Sequence, residues 1–269
     1  MEMLTITAVG VAVVAAFRGT WSPCGVSMLS SITPLSERGR GNRYRVTVVW
    51  FILGTILGGL TLGTLAALGA LLVATLDLSV MAIATAVVVA AVVTLASDLG
   101  VGGFRLPANP RQVERTWLDR YRSWVYGVGF GWQLGVGVAT FVMSATVYLM
   151  VVMAAMTGRP LLALGIVTMF GFIRGLAILP AAGVDTSADL VRLHRGIERL
   201  RPFSRVIAVS AQIAVIGLAV GLISAPALGL AASGSLVALT WAVRKGLADP
   251  APRVRKPITT GEAGGLLTN

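Results

Sequence analysis

Cysteine is nearly absent: Cys24 stands alone among 269 residues, which excludes an intramolecular disulfide and any cysteine-rich metal site. Histidine is as scarce, His194 being the sole one and lying in a charged stretch, so no metal centre is expected. Charged residues of all kinds make up 12% of the chain, against roughly 25% in an ordinary soluble domain. Water is not this protein's main solvent. No P-loop, dinucleotide fingerprint or Ser/His/Asp set is found, so neither a conventional enzyme site nor a cofactor is implied. The acids Glu2, Asp77, Asp98 and Asp185 fall at segment ends, and no buried carboxylate relay is expected.

What is present is apolar. Hydrophobic residues make up 56%, in runs at 3–17 (continuing brokenly to 35), 47–73, 79–98, 125–156, 160–182, 206–223 and 226–243. A helix needs about 20 residues to cross the hydrocarbon core, and a single segment satisfies its own backbone only as a helix. The expected fold is therefore all-α, a polytopic protein of the lipid bilayer with seven segments. The formal charge of +11 invites nucleic acid, but the basic residues sit in short loops rather than on one patch, so no such partner is expected. The first seventeen residues carry Glu2 and no basic residue before the apolar stretch, and read as an uncleaved first helix rather than a signal peptide.

The loops orient the chain. Arg38, Arg40, Arg43 and Arg45 follow segment one, and Arg105, Arg111, Arg115, Arg120 and Arg122 follow segment three. Arg192, Arg195, Arg199, Arg201 and Arg205 follow segment five, and Arg244, Lys245, Arg253, Arg255 and Lys256 follow segment seven. The alternate connections hold only Arg159. Every other loop is basic, as a chain with its N-terminus outside and its C-terminus in the cytoplasm requires, and the plasma membrane is the expected location. The stretch WLDRYRSW, with Trp117, Tyr121 and Trp124 at helical spacing, predicts an amphipathic surface helix.

GTWSPCGVSM and FGWQLGVGVA read alike when Trp21 is laid on Trp132, each opening a group of three segments. Two inverted three-helix repeats plus a seventh helix are expected, with a functional site at the repeat interface. The chain then divides into a first repeat at 1–98, a cytoplasmic loop at 99–124, a second repeat at 125–223, the seventh helix at 224–243 and a cytoplasmic tail at 244–269.

Pro23 removes a helical donor and disfavours helix at Ser22, which predicts a break near Gly19 to Pro23 and a half-helix from about Cys24 to Ile32; Pro23 can equally occupy that half-helix's first turn. Cys24 then lies near a helix N-terminus that favours a thiolate, with Arg18 close by. The competing reading is a small apolar residue packed in a membrane helix.

SPCGVSM, opening a broken first segment, resembles the LSPCVLP-type motif of the CcdA family, the module shared with the DsbD transmembrane domain. FILGTILGGLTLGTLAALGALL, GRPLLALGIVTMFGFIRGLAILP and RVIAVSAQIAVIGLAVGLI are similar to that family's second, fifth and sixth helices. The resemblance implies transmembrane thiol redox transfer or cytochrome c biogenesis, with Cys24 as the reactive thiol, Trp21, Pro23 and Trp132 supporting the motifs, and thioredoxin-like partners. The family's second cysteine falls on Gly135, with Leu134 at the preceding proline, so this chain lacks the resolving thiol. A partner or a second protomer of a homo-oligomer would have to supply it, and a thiol-disulfide relay is the most enzymatic activity expected.

Arg174 lies inside segment five, where a charge is a functional candidate by default, the alternative being snorkelling to the headgroups. Arg18, Arg174 and Gln133 are candidates for a cavity binding an anionic solute, while helix–helix hydrogen bonding is the favoured account of Gln133 and Gln212. A small-solute exporter or carrier on the same scaffold, or a non-catalytic membrane partner, are the alternative functions. The glycine stripe Gly54, Gly58, Gly59, Gly63 predicts close packing, and the run from Gly127 to Gly137 predicts either close packing or an unwound helix four.

Overall fold

In the computed structural model the structure describes residues 2–107, 116–138 and 144–223. The expected seventh helix, the tail, and Arg111 and Arg115 lie outside the described residues. Among those described there are helices and no strands: α1 (Glu2–Gly19), α2 (Pro23–Ser31), α3 (Pro34–Gly39), α4 (Tyr44–Thr75), α5 (Val80–Leu99), α6 (Trp117–Arg120), α7 (Ser123–Val136), α8 (Thr146–Met156), α9 (Pro160–Leu176) and α10 (Ser187–Ile223). Among the described residues five spans are long and apolar enough to cross a bilayer: Glu2–Gly19, Tyr44–Thr75, Val80–Leu99, Pro160–Gly183 and Ser187–Gly221. This is a multi-pass membrane protein.

Burial confirms the solvent. Leu57, Leu65, Leu68, Leu71 and Leu72 of α4 and Leu161 of α9 are exposed, while Thr47 and Thr55 of α4 are fully buried. So large an exposed apolar surface suits lipid rather than water.

Helix α4 is the axis of the bundle and packs most closely on α7 and α9. Glycine permits both contacts. A Cβ on Gly54 would meet Val128 and one on Gly58 would meet Trp132, so α7 runs parallel to α4. Gly59 lies on Val167 and Thr168, and Gly63 on Leu164, so α9 runs antiparallel. The neighbours are backbone atoms, as expected where small residues let helices approach. Gly127, Gly131 and Gly135 present the matching face of α7 to Thr47, Phe51 and Thr55. The glycine run therefore serves packing up to Val136. Beyond it Gly137, at φ 72°, ends the helix.

Three expectations need correction. The run 125–156 is not one helix, because α7 stops at Val136 and α8 begins at Thr146. The surface helix of WLDRYRSW is one turn, since Tyr121 is extended (φ −121°, ψ 159°); Trp117 instead stacks on Phe130 of α7 at 6.0 Å. The arginine-rich stretch before residue 206 is not a loop, being the first half of α10, which continues through Pro202.

Candidate functional site

The break between α1 and α2 forms where Pro23 dictates it. Ser22 is extended (φ −65°, ψ 150°), as a residue before proline prefers, and its Oγ accepts the Gly25 N–H at 3.0 Å. Pro23 takes the first helical position, where no N–H is needed, which decides between the two placements open in the sequence. Trp21 is buried against the break, donating from Nε1 to the Ile197 carbonyl of α10 at 2.6 Å and meeting Phe17 edge-on at 4.8 Å.

Arg174 reaches this break from α9. It is 3% exposed, so it does not snorkel. Its guanidinium lies so close to Gly19 that a Cβ there would stand 2.8 Å from Cζ. Its polar contact is the Ser22 hydroxyl at 3.4 Å, and its Nε has no partner. Phe170, one turn earlier on α9, offers its ring face at 5.8 Å.

Arg18 turns the other way. Its Nη1 donates to Ser204 Oγ of α10 at 2.7 Å. It does not join Arg174 at the small cavity beside the break, which Gly19, Thr20, Gly25, Phe51, Leu134 and Arg174 help to line. The two arginines thus do not share one cavity as expected.

A second polar cluster ties α5, α8 and α10. Asp98 accepts from Ser144 Oγ at 2.5 Å, from the Ala145 N–H at 2.6 Å and from Gln212 Nε2 at 2.8 Å. Gln212 also donates to Thr146 Oγ1 at 2.9 Å, while its Oε1 has no partner. A third cluster surrounds Glu37, which is fully buried: Thr47 and Tyr126 each donate a hydroxyl to Oε2 at 2.6 Å, and Arg40 bridges Oε1 at 3.1 Å. Sequence reasoning missed Asp98 and Glu37, since a carboxylate near a segment end reads as solvated. The signal available was the density of hydroxyls and amides brought near them, which only packing reveals.

Cys24 is 1% exposed, in an apolar cluster with Met28, Phe51, Phe130 and Leu134. The Arg174 guanidinium is also within electrostatic reach, so Cys24 combines the apolar packing of one sequence reading with the nearby cation that the other requires. Gly135 cannot be replaced by a thiol without displacing α7, because a Cβ there would overlap the Thr55 carbonyl. Trp132, laid on Trp21 by sequence, is 40% exposed and donates to Thr61 Oγ1 at 3.1 Å, so the two tryptophans have different environments. Gln133 is half-buried on α7 and lines neither the break nor the Asp98 cluster. Among the described residues no three His, Cys, Asp or Glu converge as metal ligands.

A helical bundle with its large apolar residues outward, close glycine contacts inside and buried charges at a broken helix defines a multi-pass membrane protein with a polar interior site. Comparison with known proteins narrows the class. The chain is 32% identical over 192 residues to the methylamine utilization protein MauF of Paracoccus denitrificans, covering 67% of each chain, and it belongs to the MauF family. It is also 30% identical over 188 residues to the MauF of Methylobacillus flagellatus, covering 67% of this chain and 66% of the relative. To the MauF of Methylophilus methylotrophus it is 28% identical over 225 residues, covering 78% and 76%. The matched stretches thus span about two thirds to three quarters of these relatives' lengths. No family model matches, and no solved structure matches.

These relatives overturn the resemblance to the CcdA and DsbD family, and with it thiol redox transfer and cytochrome c biogenesis. The exporter and partner-protein alternatives find no support in them either. The physical reason the motif misled is that Ser-Pro-Cys encodes a helix break, whatever chemistry surrounds it: serine caps, proline starts the new helix, and cysteine is small enough to bury. The thioredoxin-like partners were implied by that resemblance alone, and these relatives say nothing of them.

Proposed function

We propose that the chain is a membrane-embedded component of methylamine utilization, seated in the cytoplasmic membrane with the start of α1 outside and the arginine-rich ends of α3 and α10 inside. The similarity to three MauF proteins of methylamine-using bacteria carries this reading. Its working part is the break between α1 and α2 with Arg174, together with Arg18 and the Asp98 cluster, because charges held inside a membrane bundle are costly to keep for packing alone. The arginine asymmetry of the loops supports the orientation.

Packing also supports two inverted groups of three helices, α1, α4, α5 and α8, α9, α10. The α1–α9 contact has its counterpart in α4–α8, and α1–α10 in α5–α8, while α4–α9, α5–α10 and α1–α8 pair across the groups. On this reading the counterpart of α1 is α8 rather than α7.

The test is complementation. A Paracoccus denitrificans strain deleted for its own MauF and carrying this chain is expected to recover growth on methylamine as nitrogen source, while growth on ammonium is unaffected throughout. Stable insertion of the chain without recovery of growth defeats the reading.

A further inference from the structure

The break between α1 and α2 places two positive potentials face to face. Arg174 is one: it is 97% buried, given its 3% exposure, and among the described residues its Nε lacks a partner and its one hydrogen bond is the long one to the Ser22 hydroxyl. Among the described residues no carboxylate pairs with it. The other is the N-terminus of α2, a nine-residue helix whose first turn begins at Pro23, next to that same Ser22. A helix start carries a partial positive charge. The C-terminal end of α9, where Arg174 sits, offsets part of the guanidinium charge, but it does nothing for the repulsion from α2.

Between the two lies the cavity bordered by Gly19, Thr20, Gly25 and Arg174 on its polar side and by Met28, Phe51 and Leu134 on its apolar side. Its room for the centre of a water-sized sphere is about 10 Å³, roughly one water or one small ion. Sulfate, phosphate and organic acids are too large. Most of the lining is apolar, so a charge held there interacts more strongly than it would in open water.

We propose that Arg174 and the N-terminal turn of α2 bind one small monovalent inorganic anion of halide size in this cavity. Arg174 supplies the N–H donor through Nε. Because Ser22 Oγ already takes the Gly25 N–H, α2 contributes its dipole rather than a fork of donors. The bound anion satisfies the guanidinium, screens it from α2 and fixes the break in one geometry. The proposal stands or falls independently of methylamine utilization.

Chloride is the probe. The full chain, purified in detergent, is examined by equilibrium binding of radiolabelled chloride and by thermal unfolding across chloride concentrations, with gluconate holding ionic strength constant. One chloride per chain is expected, with a saturable rise in Tm of roughly 5–10 °C at a hundredfold excess over Kd. Arg174→Gln is expected to weaken binding at least about tenfold, an arginine donor and charge being lost together, while Arg174→Lys retains measurable binding and Arg192→Gln, on the exposed face of α10, leaves it unchanged. Because Arg174 variants can fail to fold, the wild-type measurement is decisive alone: absence of saturable chloride binding overturns the proposal. Equal binding in folded Arg174→Gln overturns it as well. So does chloride binding that appears only after Cys24→Ser, since the thiolate would then be the resident counter-ion, and so does sulfate competing as strongly as chloride.

Discussion

Gly135 of α7 lies directly against the Thr55 carbonyl of α4, with no room between them for a Cβ. This contact sets how closely the central helices pack and leaves no room for a side chain at position 135.

Gly135→Ala is therefore expected to destabilise the protein by about 1–3 kcal/mol, the range for forcing extra atoms into a close-packed interior. Thermal unfolding in detergent reads the loss as a lowered Tm. Gly135→Cys meets the same overlap and does not create a disulfide: alkylation after denaturation should find two free thiols. A Tm equal to wild type in both variants would show that α4 and α7 are not in this contact.

The Glu37 cluster is expected to be the most sensitive point among the helix connections. Glu37→Ala leaves the Thr47 and Tyr126 hydroxyls and the Arg40 guanidinium without their acceptor. Removing one member of a buried charged network costs about 3–5 kcal/mol. Glu37→Gln keeps the shape and one acceptor oxygen and should cost about 1–3 kcal/mol. The ordering of the two Tm values is the check; a larger loss for Gln than for Ala contradicts the arrangement.

Asp98 and Gln212 should be energetically coupled. Each single substitution, Asp98→Ala or Gln212→Ala, breaks the 2.8 Å hydrogen bond between α5 and α10, so the double variant should lose less than the sum. The expected coupling is about 0.5–2 kcal/mol. Strict additivity would place the two residues in separate networks.

Cys24→Ala is expected to support growth on methylamine at the wild-type level in the complementation strain, because the thiol sits in an apolar cluster and has no second cysteine to work with. Cys24→Ser buries a hydroxyl in the same place and should lower Tm, at a cost of about 1–3 kcal/mol. Loss of growth in a well-folded Cys24→Ala variant would restore a chemical role to the thiol.

Topology is checked by reporter fusions. A reporter active only outside the cytoplasm is expected to be silent when fused after Gly39, beyond α3, and active when fused after Asp77, between α4 and α5. The opposite pattern would invert the orientation inferred from the arginines.

Much of the architecture was legible in one dimension. The apolar runs at 47–73 and 79–98 became α4 and α5, because a helix crossing lipid must be long and uninterrupted by charge, and both conditions are written locally. The break at Ser22-Pro23 was equally local, since the ring of Pro23 restricts its own neighbour. The stripe from Gly54 to Gly63 announced close packing, but not that α7 and α9 would share it from two sides.

The site was less legible, because it is made by contacts between residues far apart in the chain. Arg174 meets Ser22 across 152 positions, Arg18 meets Ser204 across 186, and Asp98 meets Gln212 across 114. Whether an arginine near a segment end bends to the headgroups or stays inside depends on what the neighbouring helix leaves open, and Gly19 leaves the space that Arg174 fills. Hydropathy marks which long segments are apolar enough to cross lipid, because each of them meets the bilayer independently. Which polar groups meet inside is settled only once helices pack, since burial makes each one depend on the partner it finds.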